Sequence, residues 1–268
     1  AFVNAYKPVD DVILAAGAGA IKLGFPVISN EDENIVEVPG ALIACPNVAD
    51  FNKVSLEARG IKIKITKVDI PVAFASAFEG EIIRRKDMRV EFDGSRVDCC
   101  ELVQSKDMSE VEDHKIELIG PDIDEFEVGS KHSIAYVVEV AGKSMQPDFE
   151  PVFERKFHSY LNCIEGVMHT GQRDMIRIRV SKDAYAAGFR AKHIGEVLYA
   201  QVKNEFEAVV DKCQVKIYTN PEDCTRIRHE IAIPAFDKRD ERLSTMTDES
   251  VPVYYSCIMC QAFSPSHV

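Results

Sequence analysis

Tryptophan is absent from the sequence, so tryptophan-based ligand readouts have nothing to report on. Apolar runs of about 18 residues are absent too, which excludes a membrane-spanning helix. The most apolar early stretch, Val12 to Gly24, is short, holds three glycines and follows Asp10 and Asp11. That is the wrong charge for a secretory signal. Positive charge is scarce: 32 Lys and Arg stand against 44 Asp and Glu, a net charge of −12. A chain this acidic is a poor non-specific nucleic-acid binder, because such binding neutralises phosphates. There is no phosphate-loop or dinucleotide fingerprint, no HExxH and no nucleophile elbow. Internal repeats and low-complexity tracts are missing as well.

What is there is ordinary globular material. The chain has 268 residues, 46% hydrophobic and 28% charged. That length predicts about two domains with a sizeable core. Eight cysteines are present, at irregular spacing except for Cys257 and Cys260. Irregular spacing in a long chain argues for buried free thiols in a reducing, cytoplasmic compartment.

The pattern predicts a helix over Val9 to Leu23, thin on one face through Gly17 and Gly19 and their alanine neighbours. Short strands follow at Phe25–Ile28 and Ala41–Ala44, and a helix at Ala49–Ala58. Ile61 to Val68 alternates at period two, the clearest strand signal, and a domain boundary is placed near Gly60. Val90–Phe92 and Arg96–Val103 flank Asp93-Gly94, a hairpin signal. Strands are predicted at Ile116–Ile119 and Ser133–Val140, and a long amphipathic helix over Asp148–Met168, broken by Gly171. Met175–Val180 reads as a strand with Met175, Arg177 and Arg179 on one face. Ser181 is the expected N-cap of a short helix, and His193–Phe206 a longer one. Gln214–Tyr218 reads as a strand, with a turn or helix start at Asn220-Pro221. A second boundary is placed near His229, and Asp237–Arg242 reads as a charged linker.

Two constellations could carry chemistry. Cys257-Ile-Met-Cys260 can grip a soft metal from a single turn. The spacing alone leaves open half a zinc site, a redox dithiol or part of an iron–sulfur site. A basic cluster of Arg173, Arg177, Arg179, Lys182, Arg190 and Lys192 stands against only Asp174 and Asp183 in the same stretch. It reads either as a solvated face of ion pairs or as a surface for a phosphate-bearing ligand, since arginine forks match phosphate.

The segment Tyr255-Ser-Cys-Ile-Met-Cys-Gln-Ala-Phe-Ser-Pro-Ser-His-Val268 resembles the opening of the A-cluster motif of CO-methylating acetyl-CoA synthases. Gly60-Ile-Lys-Ile-Lys-Ile65, the run from Glu150 to His158, Gly166-Val-Met-His169 and Gly171-Gln-Arg-Asp174 are similar to segments of that family's middle domain. The resemblance implies an α/β and α+β multi-domain fold. Residues 1–60 would be the last part of an N-terminal α/β domain, 61–229 a mixed α+β middle domain, and 230–268 the start of the A-cluster domain. It implies an acyltransferase of the Wood–Ljungdahl carbon-fixation pathway, built on a [4Fe-4S] cluster and two nickel ions. The partners implied are a carbon monoxide dehydrogenase subunit, a corrinoid iron–sulfur protein, coenzyme A and a ferredoxin, with no nucleic acid and no membrane. By the same match, Cys257 is a cluster ligand and Cys260 a cluster ligand that also bridges to nickel. Phe263 is the aromatic screening the substrate site. The motif's next cysteine would follow Val268, and the further ligands, including a Cys-Gly-Cys for the second nickel, lie outside these residues. The expectation is therefore a truncated chain, inactive in isolation, whose physical behaviour is that of a docking module for coenzyme A or protein partners. An unrelated zinc or iron–sulfur protein is the remaining alternative.

Overall fold

The computed structural model describes the strands at residues 2–3, 27–29, 34–38 and 41–45, then residues 65–73, 83–245 and 247, with side chains over 68–73, 83–242, 244, 245 and 247. The helices expected at Val9–Leu23 and Ala49–Ala58, the boundary near Gly60 and the C-terminal motif with Cys257, Cys260 and Phe263 lie outside the described residues. Strands β1 (Phe2–Val3), β2 (Val27–Ser29), β3 (Asn34–Val38), β4 (Ala41–Cys45) and β5 (Ile65–Lys67) come first. β1, β2 and β5 form a parallel sheet, and β3 and β4 an antiparallel pair. Only the end of the alternating run at 61–68 is thus described as strand.

The main body is built from β6 (Met88–Asp93), β7 (Cys99–Ser105), β8 (Lys115–Ile119), β9 (Ser130–His132), β10 (Ile134–Ala141), β11 (Val167–Thr170), β12 (Arg177–Ser181) and β13 (Lys212–Tyr218). Its helices are α1 (Glu150–Asn162), α2 (Lys182–Ala186), α3 (Ala191–Glu205), α4 (Pro221–Arg226) and α5 (Ile233–Thr245). One mixed sheet runs β7-β10-β13-β8 and another β11-β12-β6-β9. The α+β expectation holds at this level.

β10 lies at the centre of the first sheet, parallel to β7 and antiparallel to β13. All eight of its residues are buried. Helices cover both faces, so the strand reads as a near-continuous apolar run. α1 and α3 pack on one face, where Phe153, Phe157, Ile194, Val197 and Leu198 join the main core. α4 and α5 cover the other, where Cys224, Ile227, Ala232 and Phe236 pack on Cys100, Leu102, Ala135 and Val137.

Three local expectations are corrected. Asp93-Gly94 does not close a hairpin: β6 pairs with β12 and β9, while β7 joins the other sheet. Gly94 donates to the Ile176 carbonyl at 2.9 Å, and a Cβ there would stand 2.4 Å from the Asp174 carbonyl oxygen. The glycine serves a close approach to the chain before β12. The long helix also stops early, at Asn162, and Val167 and Met168 belong to β11. Asn162 takes over the role of a neighbouring strand: its amide donates to the His169 carbonyl at 2.8 Å and accepts from the His169 N–H at 2.9 Å. Gly166, at φ +73°, makes the turn between them. Gly171 accordingly lies in the β11–β12 turn, at φ +83°, and breaks no helix. Finally, Asp237–Arg242 is helix. α4 runs through a π-helical stretch, Ile227–Ala232, straight into α5.

Other expectations hold. In β12, Arg177 and Arg179 face outward while Ile178 and Val180 are fully buried. The Ser181 hydroxyl accepts the Ala184 N–H at 3.0 Å and caps α2.

Candidate functional site

The basic residues do not form one cluster. β12 places Arg177 and Arg179 opposite Asp93 and Glu91 of β6, and β9 adds Lys131. Arg177 Nη2 donates to Asp93 at 3.2 Å, Arg179 pairs with Glu91, and Lys131 reaches Glu91 at 2.8 Å and Asp93 at 2.6 Å. Burial would raise the Asp93 carboxyl, but hydrogen bonds from Lys131, Ser95 and Arg177 outweigh it and hold the group well below the usual range. The Glu91 carboxyl is lowered for the same balance of reasons, through Lys131 and Arg179. Lys182 leans to the Lys86 carbonyl at 2.7 Å, and Arg179 to the Ile83 carbonyl at 2.9 Å. This face carries three cations around two buried carboxylates.

Arg173 and Arg190 point elsewhere. Arg173, at φ +58° in the β11–β12 turn, forks onto Asp240 of α5 with two bonds of 2.6 Å. Arg190 stacks on the Tyr185 ring, which Arg89 also approaches, at 4.4 and 4.5 Å to the centroid. Arg190 donates to the carbonyls of Tyr185 and Phe189 and has no carboxylate partner among the described residues. Lys192 is exposed. Arg228 joins Asp98 to Asp174 at 2.6 and 2.9 Å.

Two clusters escaped the sequence reading. In the core, Glu101 accepts from Tyr136, and His169 Nε2 lies 2.9 Å from the same carboxylate oxygen. All three are buried to 1% exposure or less, and they fasten β7, β10 and β11 together. The second cluster lies on the edge of β7 that carries no strand among the described residues, where Arg239 of α5 meets Glu150 and Glu154 of α1. Carboxylates four residues apart on a helix were the available signal, but their arginine is 85 residues or more away in sequence.

The described cysteines do not fit a metal centre. Cys99, Cys100, Cys163, Cys213 and Cys224 are free and buried, as expected of small apolar residues. Burial pushes the thiols of Cys99 and Cys224 up to about 12 and that of Cys163 to about 11, and raises Cys100 and Cys213 as well. A thiol that resists ionisation is a poor ligand. Among the described residues no group of three or more His, Cys, Asp or Glu could hold a metal ion. No helix among them is long and apolar enough to cross a membrane.

Comparison with known proteins connects both parts of the chain. Residues 70–224 match the model of the CO dehydrogenase/acetyl-CoA synthase complex beta subunit family. Residues 236–268 match the model for the C-terminal part of the ACS/CODH beta subunit. The whole chain aligns with carbon monoxide dehydrogenase/acetyl-CoA synthase subunit alpha of Moorella thermoacetica at 44% identity, covering 37% of that protein. It aligns along its full length with acetyl-CoA decarbonylase/synthase complex subunit beta 1 of Methanocaldococcus jannaschii at 43% identity, covering 35%. The Methanopyrus kandleri beta subunit is 42% identical over 75% of this chain and 43% of its own length. The chain thus spans little more than a third of the first two relatives. The chain belongs to the CO dehydrogenase/acetyl-CoA synthase complex beta subunit family.

Proposed function

We propose that this chain forms part of an acetyl-CoA synthase, an acyltransferase that condenses CO, a methyl group from a corrinoid iron–sulfur protein and coenzyme A into acetyl-CoA. The observation that carries the reading is the alignment of all its residues, at 44% identity, with the Moorella synthase subunit. Residues 1–60, 61–229 and 230–268 are assigned to the end of an α/β domain, the α+β middle domain and the start of the metal domain. The partners assigned are a carbon monoxide dehydrogenase subunit, the corrinoid protein and a ferredoxin.

Cys257 and Cys260 are the ligands the chain offers to the nickel–iron–sulfur group. Their C-x-x-C spacing and soft sulfur donors suit that group, and they fall within the segment matching the C-terminal family model. When bound, it supplies electron-rich metal for joining carbon to carbon and carbon to sulfur. Phe263 is assigned to shield the substrate side of the site. Half-exposed Arg177, with only Nη2 engaged, retains donors for a phosphate, and Arg179 stands beside it. We assign this face, together with Lys182, to coenzyme A or a protein partner; Arg173, forked onto Asp240, and Arg190, stacked on Tyr185, point away from it and drop out of that site. The same half-exposed cations favour the second reading, a docking module without chemistry of its own.

The test is acetyl-CoA formation by the full-length synthase subunit carrying these residues, purified anaerobically with and without Cys260→Ala, since these residues alone are expected to be inactive. A loss of at least about 100-fold is expected, on the scale of losing a group that orders the metal site. Full activity in the variant contradicts the assignment. Arg177→Ala with Arg179→Ala should weaken coenzyme A binding about tenfold, the scale of one charge-assisted hydrogen bond. Unchanged binding removes this face from the coenzyme A site.

A further inference from the structure

Arg84, Arg85 and Lys86 form a run of three cations in the 3₁₀ turn that leads into β6. All three are exposed, and so is Asp87, whose N–H donates to the Arg84 carbonyl at 2.9 Å and closes the turn. Ile83, 2% exposed, anchors the chain just before it. The turn is otherwise held by groups of its own sign. Arg179 of β12 donates to the Ile83 carbonyl at 2.9 Å, and Lys182 at the start of α2 donates to the Lys86 carbonyl at 2.7 Å.

Strand register carries this turn into the face of β12 described above. Ser181 pairs with Met88 at one end of the two strands and Arg177 with Asp93 at the other. Between them Arg179 stands opposite Glu91, and Lys131 of β9 stands opposite Glu91 from the far side. The row from Ser181 to Arg177 covers roughly 13 Å at about 3.3 Å per residue. Glu91 and Asp93 are 2% and 1% exposed, so they hold the cations from below while Lys131 and Arg177 stay 37% and 41% exposed. What the face offers to solvent is therefore positive. Met175, 57% exposed, lies just before Arg177 at the end of the row, and Ile176 and Ile178 alternate with these residues into the core.

Cations elsewhere in this acidic chain meet carboxylates. Lys156 pairs with Glu205, Lys216 with Glu139, Arg228 with Asp98 and Asp174, and Arg242 with Asp148. Single exposed lysines without such a partner among the described residues occur at Lys143 and Lys238. Arg84, Arg85 and Lys86 are the one run of three consecutive cations in the sequence, and none of them has a carboxylate among the described residues.

We propose that the turn at 84–86, with Lys182 and the outward side chains of β12, is a docking surface for the acidic face of a protein partner. The proposal rests on the assignment of the β12 face to coenzyme A or a protein partner, and of those two occupants it commits to the protein. Small-molecule sites are concave and converge a few polar groups on one ligand. Here the cations are strung along a turn and an outward sheet face. Arginine and methionine are enriched where proteins meet, and an exposed methionine beside arginines supplies both. The net charge of −12 gives the remaining reason. An acidic partner is repelled by such a chain as a whole, so productive encounter needs a local positive face to steer it. Ion pairs formed there stay partly solvated and act chiefly on the association rate and on its salt dependence.

The test is titration of the full-length synthase subunit carrying these residues with fluorescently labelled poly-L-glutamate, read by anisotropy at physiological and at raised salt. Saturable binding that weakens as salt rises is expected. Arg84→Glu with Arg85→Glu should weaken it at least about tenfold. Lys143→Glu with Lys238→Glu makes the same change in net charge on the residue after β10 and on α5, and should weaken binding by less than about twofold, because charges beyond about 8 Å are screened. Absence of saturable binding overturns the proposal. Equal losses in the two double variants overturn it too, since the polymer then senses net charge alone. Displacement of the polymer by coenzyme A overturns it in favour of a small phosphate ligand, and tighter binding of a DNA oligonucleotide of matched charge overturns it in favour of a nucleic acid. The synthase reading stands or falls on acetyl-CoA formation, which none of these titrations measures.

Discussion

The face of β12 and the edge of β7 use the same chemistry and reach opposite electrostatic states. On the first, Asp93 and Glu91 are 1% and 2% exposed, yet their carboxyls are driven below the normal range. On the second, Glu154 is similarly buried at 5% exposure and its carboxyl is driven up to about 7. Surface exposure alone does not separate them: Glu154 lies deeper in the protein, so lost hydration outweighs its few donors, whereas Asp93 and Glu91 lie shallower and receive more of them. Asp93 receives Lys131, Arg177 and Ser95, and the two cations remain 37% and 41% exposed, so their own hydration is largely kept. Glu154 shares a single arginine, itself 13% exposed, with Glu150 and a carbonyl. A buried carboxylate is stabilised by several half-solvated cations and strained by one buried cation divided among acceptors.

The comparison can be broken from either side. The largest effect is expected at Arg239. Arg239→Ala leaves two carboxylates without their cation and should cost about 3–5 kcal/mol in a denaturant melt. Arg239→Lys should recover only part of that, because an ammonium cannot serve three acceptors in one plane. A loss below about 1 kcal/mol for Arg239→Ala would place the β7 edge with ordinary surface pairs. Next comes Asn162→Ala, which strips the buried His169 backbone of both partners; about 2–3 kcal/mol is expected from calorimetry. The β12 face is probed by acid. A depressed carboxyl contributes stability that is present above its unfolded value of 3.8 and lost as pH falls through its folded value. Asp93→Asn should therefore flatten the acid limb of stability below about pH 4 and change nothing in how stability responds from pH 6 to 8. The smallest effect is Arg177→Ala, within about 1 kcal/mol by thermal melt, since its guanidinium is half-exposed.

Periodicity made much of the middle body legible. The outward arginines of β12, the Ser181 cap and the strand at β10 follow directly from spacing and side-chain chemistry, though not that β10 is buried on both faces. The misreadings share a cause. Asp93-Gly94 is a local turn signal, but the glycine is there because another segment passes too close for a side chain. Ile164 and Val167 continue the spacing of α1 past its end, while the buried bond partners of Asn162 fix the stop. The charge of Asp237–Arg242 suggested solvent, yet Arg239 within it is largely buried against α1. Each time a tertiary contact outweighed a local pattern. The basic residues were visible in the sequence, but not that Arg173, Arg177 and Arg190 turn in three directions. The cysteine pair at 257 and 260 was legible through resemblance, because C-x-x-C alone suits several metals and a redox dithiol.

The central claim is best tested by the iron and nickel content of the full-length synthase subunit carrying these residues, purified anaerobically and measured beside its Cys257→Ala and Cys260→Ala variants. The account predicts that both metals are bound, that each variant loses iron, and that Cys260→Ala also loses nickel. Iron and nickel retained in full by both variants would contradict it.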